Sequence, residues 1–174
     1  MKIKNLIYTI LLIVFFISTS CNKLDGNKGY KKFPEQIIGT GEIIPNAMIN
    51  YGTSTNSKSS GGERIITSDS LNVHSLVVSF DGGASYIPID FSQYSILGKY
   101  AEGDSRVVFE RNVTKSIEKQ KYIYKIRVIQ CGSWLTYNAS LNYVLIPKME
   151  DNFSVEFIVE HVQWNNGRTK IIER

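Results

Sequence analysis

Residues 153–160 read FSVEFIVE, and this stretch decides the fold class of the chain. Apolar side chains alternate here with polar or charged ones: Phe153, Val155, Phe157 and Val159 against Ser154, Glu156 and Glu160. Successive side chains of a β-strand point to opposite faces, so this alternation predicts a strand with one buried and one solvated face. It is the clearest amphipathic strand in the chain.

The segments on both sides of this strand have the same character. In Lys121–Cys131, apolar and aromatic residues share one face and basic residues the other: Tyr122, Tyr124, Ile126 and Val128 against Lys121, Lys125 and Arg127. After Trp164, Asn166-Gly167 is typical of a type I′ hairpin that pairs this strand with Thr169–Glu173. Further short β-rich segments are Ile65-Ile66, Ser95–Tyr100, Arg106–Val113 and Leu141–Ile146. Short strands separated by turns predict a mainly β chain, folded as one antiparallel β-sandwich or barrel-like domain.

One helix is predicted, over residues 69–80. Four apolar residues fall at the i, i+3, i+4 and i+7 positions of one helical face: Val73, Leu76, Val77 and Phe80. Asp69 stands where an N-cap residue belongs, and the Asp81-Gly82-Gly83 turn would end the helix. The segment Leu76–Val78 is equally compatible with a strand, because it is a short apolar run.

The sequence divides into four parts. Residues 1–20 are predicted to be a signal peptide, and residues 21–34 a cysteine followed by a polar tether. Residues 35–63 combine a predicted edge strand, Gln36–Ile44, with a Gly/Ser/Thr-rich loop, Tyr51–Glu63, that we expect to be flexible. Residues 64–174 form the predicted β-rich globular domain.

The first 21 residues, MKIKNLIYTILLIVFFISTSC, have the order of a bacterial lipoprotein signal. Lys2 and Lys4 supply a positive amino-terminal region, and Leu6–Ile17 supplies an almost entirely apolar stretch of 12 residues. That stretch is shorter than the ~20 apolar residues that span a bilayer. Small residues then lead directly to Cys21.

This order resembles the lipobox of Bacteroidota lipoproteins, although Ser18 stands where an aliphatic residue is usual. The resemblance implies that residues 1–20 are removed and that Cys21 carries acyl chains such as palmitate. Two or more acyl chains hold a protein stably on a membrane. We therefore expect a lipid-anchored protein of the cell envelope, at the outer membrane, with its periplasmic or surface orientation left open. The alternatives are an ordinary secretory signal, with Cys21 incidental, or an uncleaved anchor.

Three segments of the body also resemble an uncharacterised family of Bacteroidota lipoproteins. They are a turn leading into a strand, a strand ending in Pro-Lys, and an alternating strand: Pro88–Tyr94, Tyr143–Lys148 and Val155–Val159. The resemblance implies a mainly β domain and brings no catalytic residues with it.

No pattern for catalysis, metal binding or a cofactor stands out. The histidines, His74 and His161, lack the neighbours of a zinc site. Cys131 is interpreted as a buried thiol with no partner in its own chain, because Cys21 is assigned to lipid. Two of the 20 basic residues leave with the signal, so 18 remain against 16 acidic ones, and the charge does not favour nucleic acid. We expect no enzyme activity, no cofactor, no metal and no nucleic-acid partner.

Four aromatic residues near strand ends or turns are candidate ligand-binding positions: Trp134, Tyr137, Tyr143 and Trp164. Such rings stack on the apolar faces of sugars and present a polar tip. The alternative is core packing with only the tip at the surface. Ser70 lies in Asp69-Ser70-Leu71, which resembles the O-glycosylation sequon of exported Bacteroidota proteins; alternatively, it is an early residue of the predicted helix.

Anchor and composition together predict a non-enzymatic binding or assembly module of the envelope, with membrane lipid on Cys21 and a protein or glycan partner. A first alternative is a surface glycan-binding accessory protein. A second is a lipoprotein that inhibits a protease or has hydrolytic activity.

Overall fold

The structure is a computed structural model that describes residues 38–51, 62–68, 76–104, 106–131, 137–165 and 168–172. This part of the chain contains eleven strands and no helix. The strands are β1 (Ile38–Gly41), β2 (Met48–Tyr51), β3 (Glu63–Ile66), β4 (Leu76–Ser79), β5 (Ile87–Pro88), β6 (Tyr94–Asp104), β7 (Arg106–Ser116), β8 (Lys121–Cys131), β9 (Tyr137–Pro147), β10 (Ser154–Asn165) and β11 (Arg168–Ile171). The prediction of a mainly β domain is confirmed.

The strands form three sheets. The large sheet has the order β1-β7-β8-β10-β11, the central sheet β3-β6-β9, and the small sheet β2-β4-β5. None of these sheets closes into a barrel within the described residues. The strand β1 is an edge strand of the large sheet and falls inside the segment predicted for one, Gln36–Ile44.

The large sheet is mixed, whereas the sequence predicts an antiparallel domain. The strand β10 lies parallel to β8, and β1 lies parallel to β7. Parallel neighbours cannot be joined by a tight hairpin, because the chain has to return to the end where it started. Here the chain makes that return through the central sheet, because it forms β9 there after leaving β8 and before it enters β10.

A first core lies between the large and central sheets. Its buried members include Leu97, Phe109, Val113, Tyr122, Tyr124, Ile126, Val128, Val144 and Ile146. The Tyr124 hydroxyl donates a hydrogen bond to the Asn142 carbonyl at 3.0 Å, which joins β8 to β9 across the two layers. The Tyr124 ring also lies 5.9 Å from the Phe157 ring, centroid to centroid.

A second core lies on the other side of the central sheet, beneath the small sheet. Its buried members are Ile66, Leu76, Val78, Ile89, Ile96 and Leu145. Neighbouring residues of β6 therefore serve different cores, because Leu97 belongs to the first and Ile96 to the second. A strand covered on both faces has no polar side, and this explains the continuous apolar run Val144–Ile146 in β9.

The amphipathic strand at residues 153–160 is confirmed as part of β10. Its apolar side packs on the first core. Its acidic side chains face basic ones on β8, with Glu156 2.9 Å from Lys121 and Glu160 3.1 Å from Arg127. The predicted hairpin is also confirmed in register, since Trp164 pairs with Thr169; residues 166–167 lie outside the described residues.

The predicted helix over residues 69–80 is wrong where it can be compared. Residues 69–75 lie outside the described part of the chain, and Leu76–Ser79 is the strand β4. Two neighbours, β2 and β5, pair with β4 and satisfy its backbone. Burial of Leu76 and Val78 on one side of this strand stabilises it against the helix that the spacing predicts. The helical spacing is a local pattern and contains no information on these partner strands.

Cys131 ends β8 and is buried beside Val108 and Ile129, on the face of the large sheet opposite the first core. It is disulfide-bonded, so the interpretation of a free buried thiol is wrong. The only other cysteine in the sequence is Cys21, which lies outside the described residues.

The segments Pro88–Tyr94 and Tyr143–Lys148 pack against each other. Tyr94 pairs with Pro147, and the Lys148 ammonium group donates to the carbonyl of Phe91 at 2.9 Å. The same ammonium group donates to the carbonyl of Thr67 at 2.5 Å. Lys148 thus joins the turn before β6, the end of β9 and the segment after β3.

Candidate functional site

The structure brings two of the four candidate aromatics to one surface. Tyr137 and Tyr143 lie six positions apart on β9, so their side chains point to the same face of the central sheet. Trp164 lies on β10 in the large sheet. Trp134, like Cys21 and Ser70, lies outside the described residues.

Trp164 belongs to a packing cluster. Its half-buried side chain lies against the buried residues Val108, Ile129 and Cys131. Trp164 therefore has the alternative role named above for these aromatic residues: it packs against the core and keeps part of its ring at the surface.

Tyr100 joins the two tyrosines of β9 and was not predicted. It lies on β6, where its register partner is Leu141, and directly opposed residues of an antiparallel pair share a face. Tyr100 is 42% exposed and Tyr137 62% exposed, whereas Tyr143 is half-buried. We call the surface formed by Tyr100, Tyr137, Leu141 and Tyr143 the tyrosine face.

The hydroxyl groups of the tyrosine face form a chain that ends on a carboxylate. The Tyr137 hydroxyl donates a hydrogen bond to Glu102, and the Tyr100 and Tyr137 hydroxyl oxygens lie 3.0 Å apart. A phenol has one proton to donate. Since Tyr137 gives its proton to Glu102, Tyr100 donates to Tyr137.

This chain favours the protonated phenol. The hydrogen bond to Glu102, followed by the contact with Tyr100, raises the pKa of Tyr137 above its usual range. Tyr137 therefore stays a neutral hydrogen-bonding group at physiological pH, oriented by two partners rather than free to rotate.

Tyr143 forms the inner end of the face, and Gly98 makes room for it. A Cβ atom at Gly98 would lie 2.5 Å from Cε1 and 2.7 Å from Cδ1 of the Tyr143 ring. The ring therefore lies directly over the backbone of β6. From the large sheet, the Arg111 guanidinium donates to the Tyr143 carbonyl at 2.9 Å, which fixes β9 at this point.

Other features of the described residues point to no second site. His161 is half-buried on β10. Among the residues described, no group of three or more His, Cys, Asp or Glu side chains is placed to hold a metal ion. The same residues include no helix with the length and apolar character that a membrane crossing needs.

The sequence signal that could have found the tyrosine face is weak. Tyr100 was placed at the end of a predicted strand and Tyr137 near a turn, but nothing local relates two residues that are 37 positions apart. Comparison of the chain with known protein families, with curated proteins and with solved structures gives no match. Its function has to be inferred from the chemistry of its own residues.

Proposed function

We propose that this chain is an envelope lipoprotein, processed before Cys21 and held by lipid at the outer membrane, that works as a non-enzymatic binding or assembly module. The observation that carries the binding role is the tyrosine face. Two exposed tyrosines, Tyr100 and Tyr137, stand together there. Contiguous exposed apolar surface on a folded protein often marks a site that a partner covers.

The tyrosine face is rigid, which suits recognition. β6 and β9 pair over eleven consecutive register positions, from Tyr94–Pro147 to Asp104–Tyr137. The chain of hydroxyl groups then fixes the Tyr100 and Tyr137 side chains relative to each other. Little conformational entropy is left to lose on binding, so a modest contact area can give useful affinity.

Two acidic residues of the described surface, Asp81 and Asp90, organise turns and are not tuned as catalytic acids. Hydrogen bonds from Ser79 and Ser85 lower the pKa of Asp81, and hydrogen bonds from Ser92 lower the pKa of Asp90. A catalytic acid needs the opposite tuning, with a pKa raised towards the working pH. These two carboxylates are tuned to remain charged, and they organise the turns that surround them.

Cys21 cannot carry lipid and form a disulfide bond at the same time. Lipid is attached to a lipoprotein cysteine through a thioether, which leaves no thiol for a disulfide. The disulfide-bonded state of Cys131 would use the only other cysteine of the sequence. The two states exclude each other in one molecule, so the disulfide counts against lipid on Cys21, and the anchor has to be tested directly.

We expect the mature wild-type protein in the membrane fraction, from which only detergent should release it. Cys21→Ala should move the protein to the soluble fraction. A wild-type protein that buffer alone washes off the membranes would contradict lipid anchoring.

The binding role is tested at the face itself. With the substitution Tyr137→p-benzoylphenylalanine in living cells, illumination should give a covalent adduct with another envelope component. Tyr86 is 40% exposed and its hydroxyl lies near Gly83, in the turn between β4 and β5, so Tyr86→p-benzoylphenylalanine is the matched control. No adduct at either position, or equal adducts at both, would contradict a binding role for the tyrosine face.

A further inference from the structure

We infer that the open edge of β10 pairs with the same edge of a second copy of this chain, antiparallel and with Phe157 facing Phe157. Such a dimer joins two large sheets into one. The inference goes beyond the proposed binding role, because it uses neither the tyrosine face nor the lipid anchor. Three properties of β10 carry it: an open backbone edge, an apolar side without protection, and a charge pattern that selects one register.

Part of β10 has a neighbouring strand on one side only. β8 lies along Ser154–Gln163, whereas β11 covers the other side only from Val162 to Asn165. On that side, the described part of the chain places no strand against Ser154–Glu160. We call this open side of Ser154–Glu160 the β10 edge. A sheet edge presents a row of backbone N–H and C=O groups that can pair with the strand of another chain.

The hydrogen bonds at the two ends of β10 show which backbone groups face the open side. The Ser154 N–H donates to the Gln120 carbonyl, next to β8, and the His161 carbonyl accepts from the Ile172 N–H, next to β11. Successive residues of a strand direct their backbone groups to opposite sides. Even-numbered residues therefore bond to β8, and three odd-numbered ones face the open side: Val155, Phe157 and Val159.

The β10 edge lacks the usual protection against pairing. Proteins protect sheet edges with inward-pointing charges, proline or bulges. The stretch Ser154–Glu160 contains no lysine and no proline, and its register with β8 is continuous. Its inward-pointing side chains, Val155, Phe157 and Val159, pack against the first core but stay half-buried. A second copy would cover them and continue the apolar row beneath the joined sheet.

The charges on the outer face of β10 favour one register. With Phe157 opposite Phe157 of the second copy, Glu156 faces Ile158 and Glu160 faces Ser154, so no two carboxylates are opposed. A shift of two residues in one direction places Glu156 opposite itself. A shift of two in the other direction places Glu156 opposite Glu160. Like charges directly opposite each other destabilise a strand pair, so both shifts are disfavoured.

The backbone favours the same register. It pairs all the outward-facing residues of both copies, Val155 with Val159 and Phe157 with Phe157. Either shift by two would bring in Phe153 or His161 as a pairing partner. The Phe153 N–H and the His161 carbonyl already take part in hydrogen bonds within their own chain. The β10 edge is thus self-complementary in backbone, apolar side chains and charge, which is what a two-fold interface requires.

The test uses the full mature protein in non-ionic detergent, with sedimentation equilibrium giving the protein mass over a range of concentrations. The wild type should form a dimer in reversible equilibrium with the monomer. Ile158→Glu should raise the dissociation constant of the dimer about tenfold or more, because the new carboxylate faces Glu156 of the second copy at two symmetric positions.

Ile158→Lys is the matched control variant. It removes the same apolar side chain but places an ammonium group opposite Glu156 of the second copy, so the dimer should persist or become tighter. Within the chain, Ile158 is the register partner of Lys125, so folding alone favours the glutamate over the lysine. The expected order of dimer stability is therefore the reverse of the expected order of folding stability, which thermal unfolding of both variants measures.

Photocrosslinking in cells identifies what covers the β10 edge. With Ile158→p-benzoylphenylalanine, illumination should give an adduct of two copies of this chain. A wild type that stays monomeric at every concentration, or equal dissociation constants for Ile158→Glu and Ile158→Lys, would overturn the inference. An adduct with a different protein alone would also overturn it, because the edge would then belong to another partner.

Discussion

Replacing Tyr124 by alanine is expected to lower the free energy of unfolding by about 3–5 kcal/mol, the range for removing a fully buried aromatic side chain. Tyr124 is 0% exposed and lies in the first core. Its removal leaves a cavity between the large and central sheets and takes away the ring contact with Phe157. Urea-induced unfolding followed by tryptophan fluorescence measures the loss.

The conservative variant Tyr124→Phe separates the ring from its hydroxyl group. It keeps the packing and loses the hydrogen bond to the Asn142 carbonyl, so we expect a loss of about 1–3 kcal/mol for an acceptor left unsatisfied. Burial raises the pKa of Tyr124 above its usual range, so the donor is present at every pH at which the protein is studied. A loss below about 1 kcal/mol for Tyr124→Ala would contradict the central place of this residue in the core.

Gly98→Ala is expected to lower the free energy of unfolding by about 1–3 kcal/mol, the usual cost of overpacking a well-filled site. The new Cβ would lie 2.5 Å from the Tyr143 ring, and Tyr143 packs against the second core on its other side. The ring has to move away from β6, so the same substitution should also disturb the tyrosine face and weaken ligand binding. Thermal unfolding and the yield of the Tyr137→p-benzoylphenylalanine photoadduct measure the two effects.

Gly39→Ala is the matched control for that substitution. Gly39 also lies in a strand, β1, but a Cβ atom there would meet its nearest neighbour, Ile43 Cγ2, at 3.4 Å. We therefore expect Gly39→Ala to change stability by less than about 1 kcal/mol, since it adds a methyl group without overpacking. Equal losses for the two glycines would show that the position of the Tyr143 ring is not what makes Gly98 sensitive.

The two large effects share one structural cause, which is the central sheet. Tyr124 fixes one side of β9 through the Asn142 carbonyl. Gly98 and Tyr143 fill the other side, between β6 and the second core. A substitution that disrupts the packing of either core is therefore expected to displace β9, the strand that carries Tyr137.

Sequence patterns predicted individual strands well where one face meets water. The alternation in β8 and β10 gave the correct buried faces, and the Asn-Gly signal gave the register of Trp164 with Thr169. The same reasoning failed for Leu76–Ser79, where an apolar run has no period of its own. Neither helix nor strand could be chosen there without knowing that β2 and β5 lie alongside.

The candidate site was predicted only in part for a related reason. Tyr137 and Tyr143 were chosen as aromatic residues near strand ends, and they do share a face. Trp164 was chosen on the same grounds, yet it packs on the opposite layer beside Cys131. Composition identifies residues that are able to bind, but it carries no information on which of them stand together.

By itself, the sequence determined the β character of the domain, the amphipathic strand at residues 153–160 and its charged outer face. These are local properties, because side chains alternate with a period of two along any strand. Only the tertiary structure decided that β9 joins the central sheet whereas β8 and β10 lie parallel in the large sheet, and that Tyr100 meets Tyr137. Register between distant strands depends on how two cores are filled at once, and no short window of sequence contains that information.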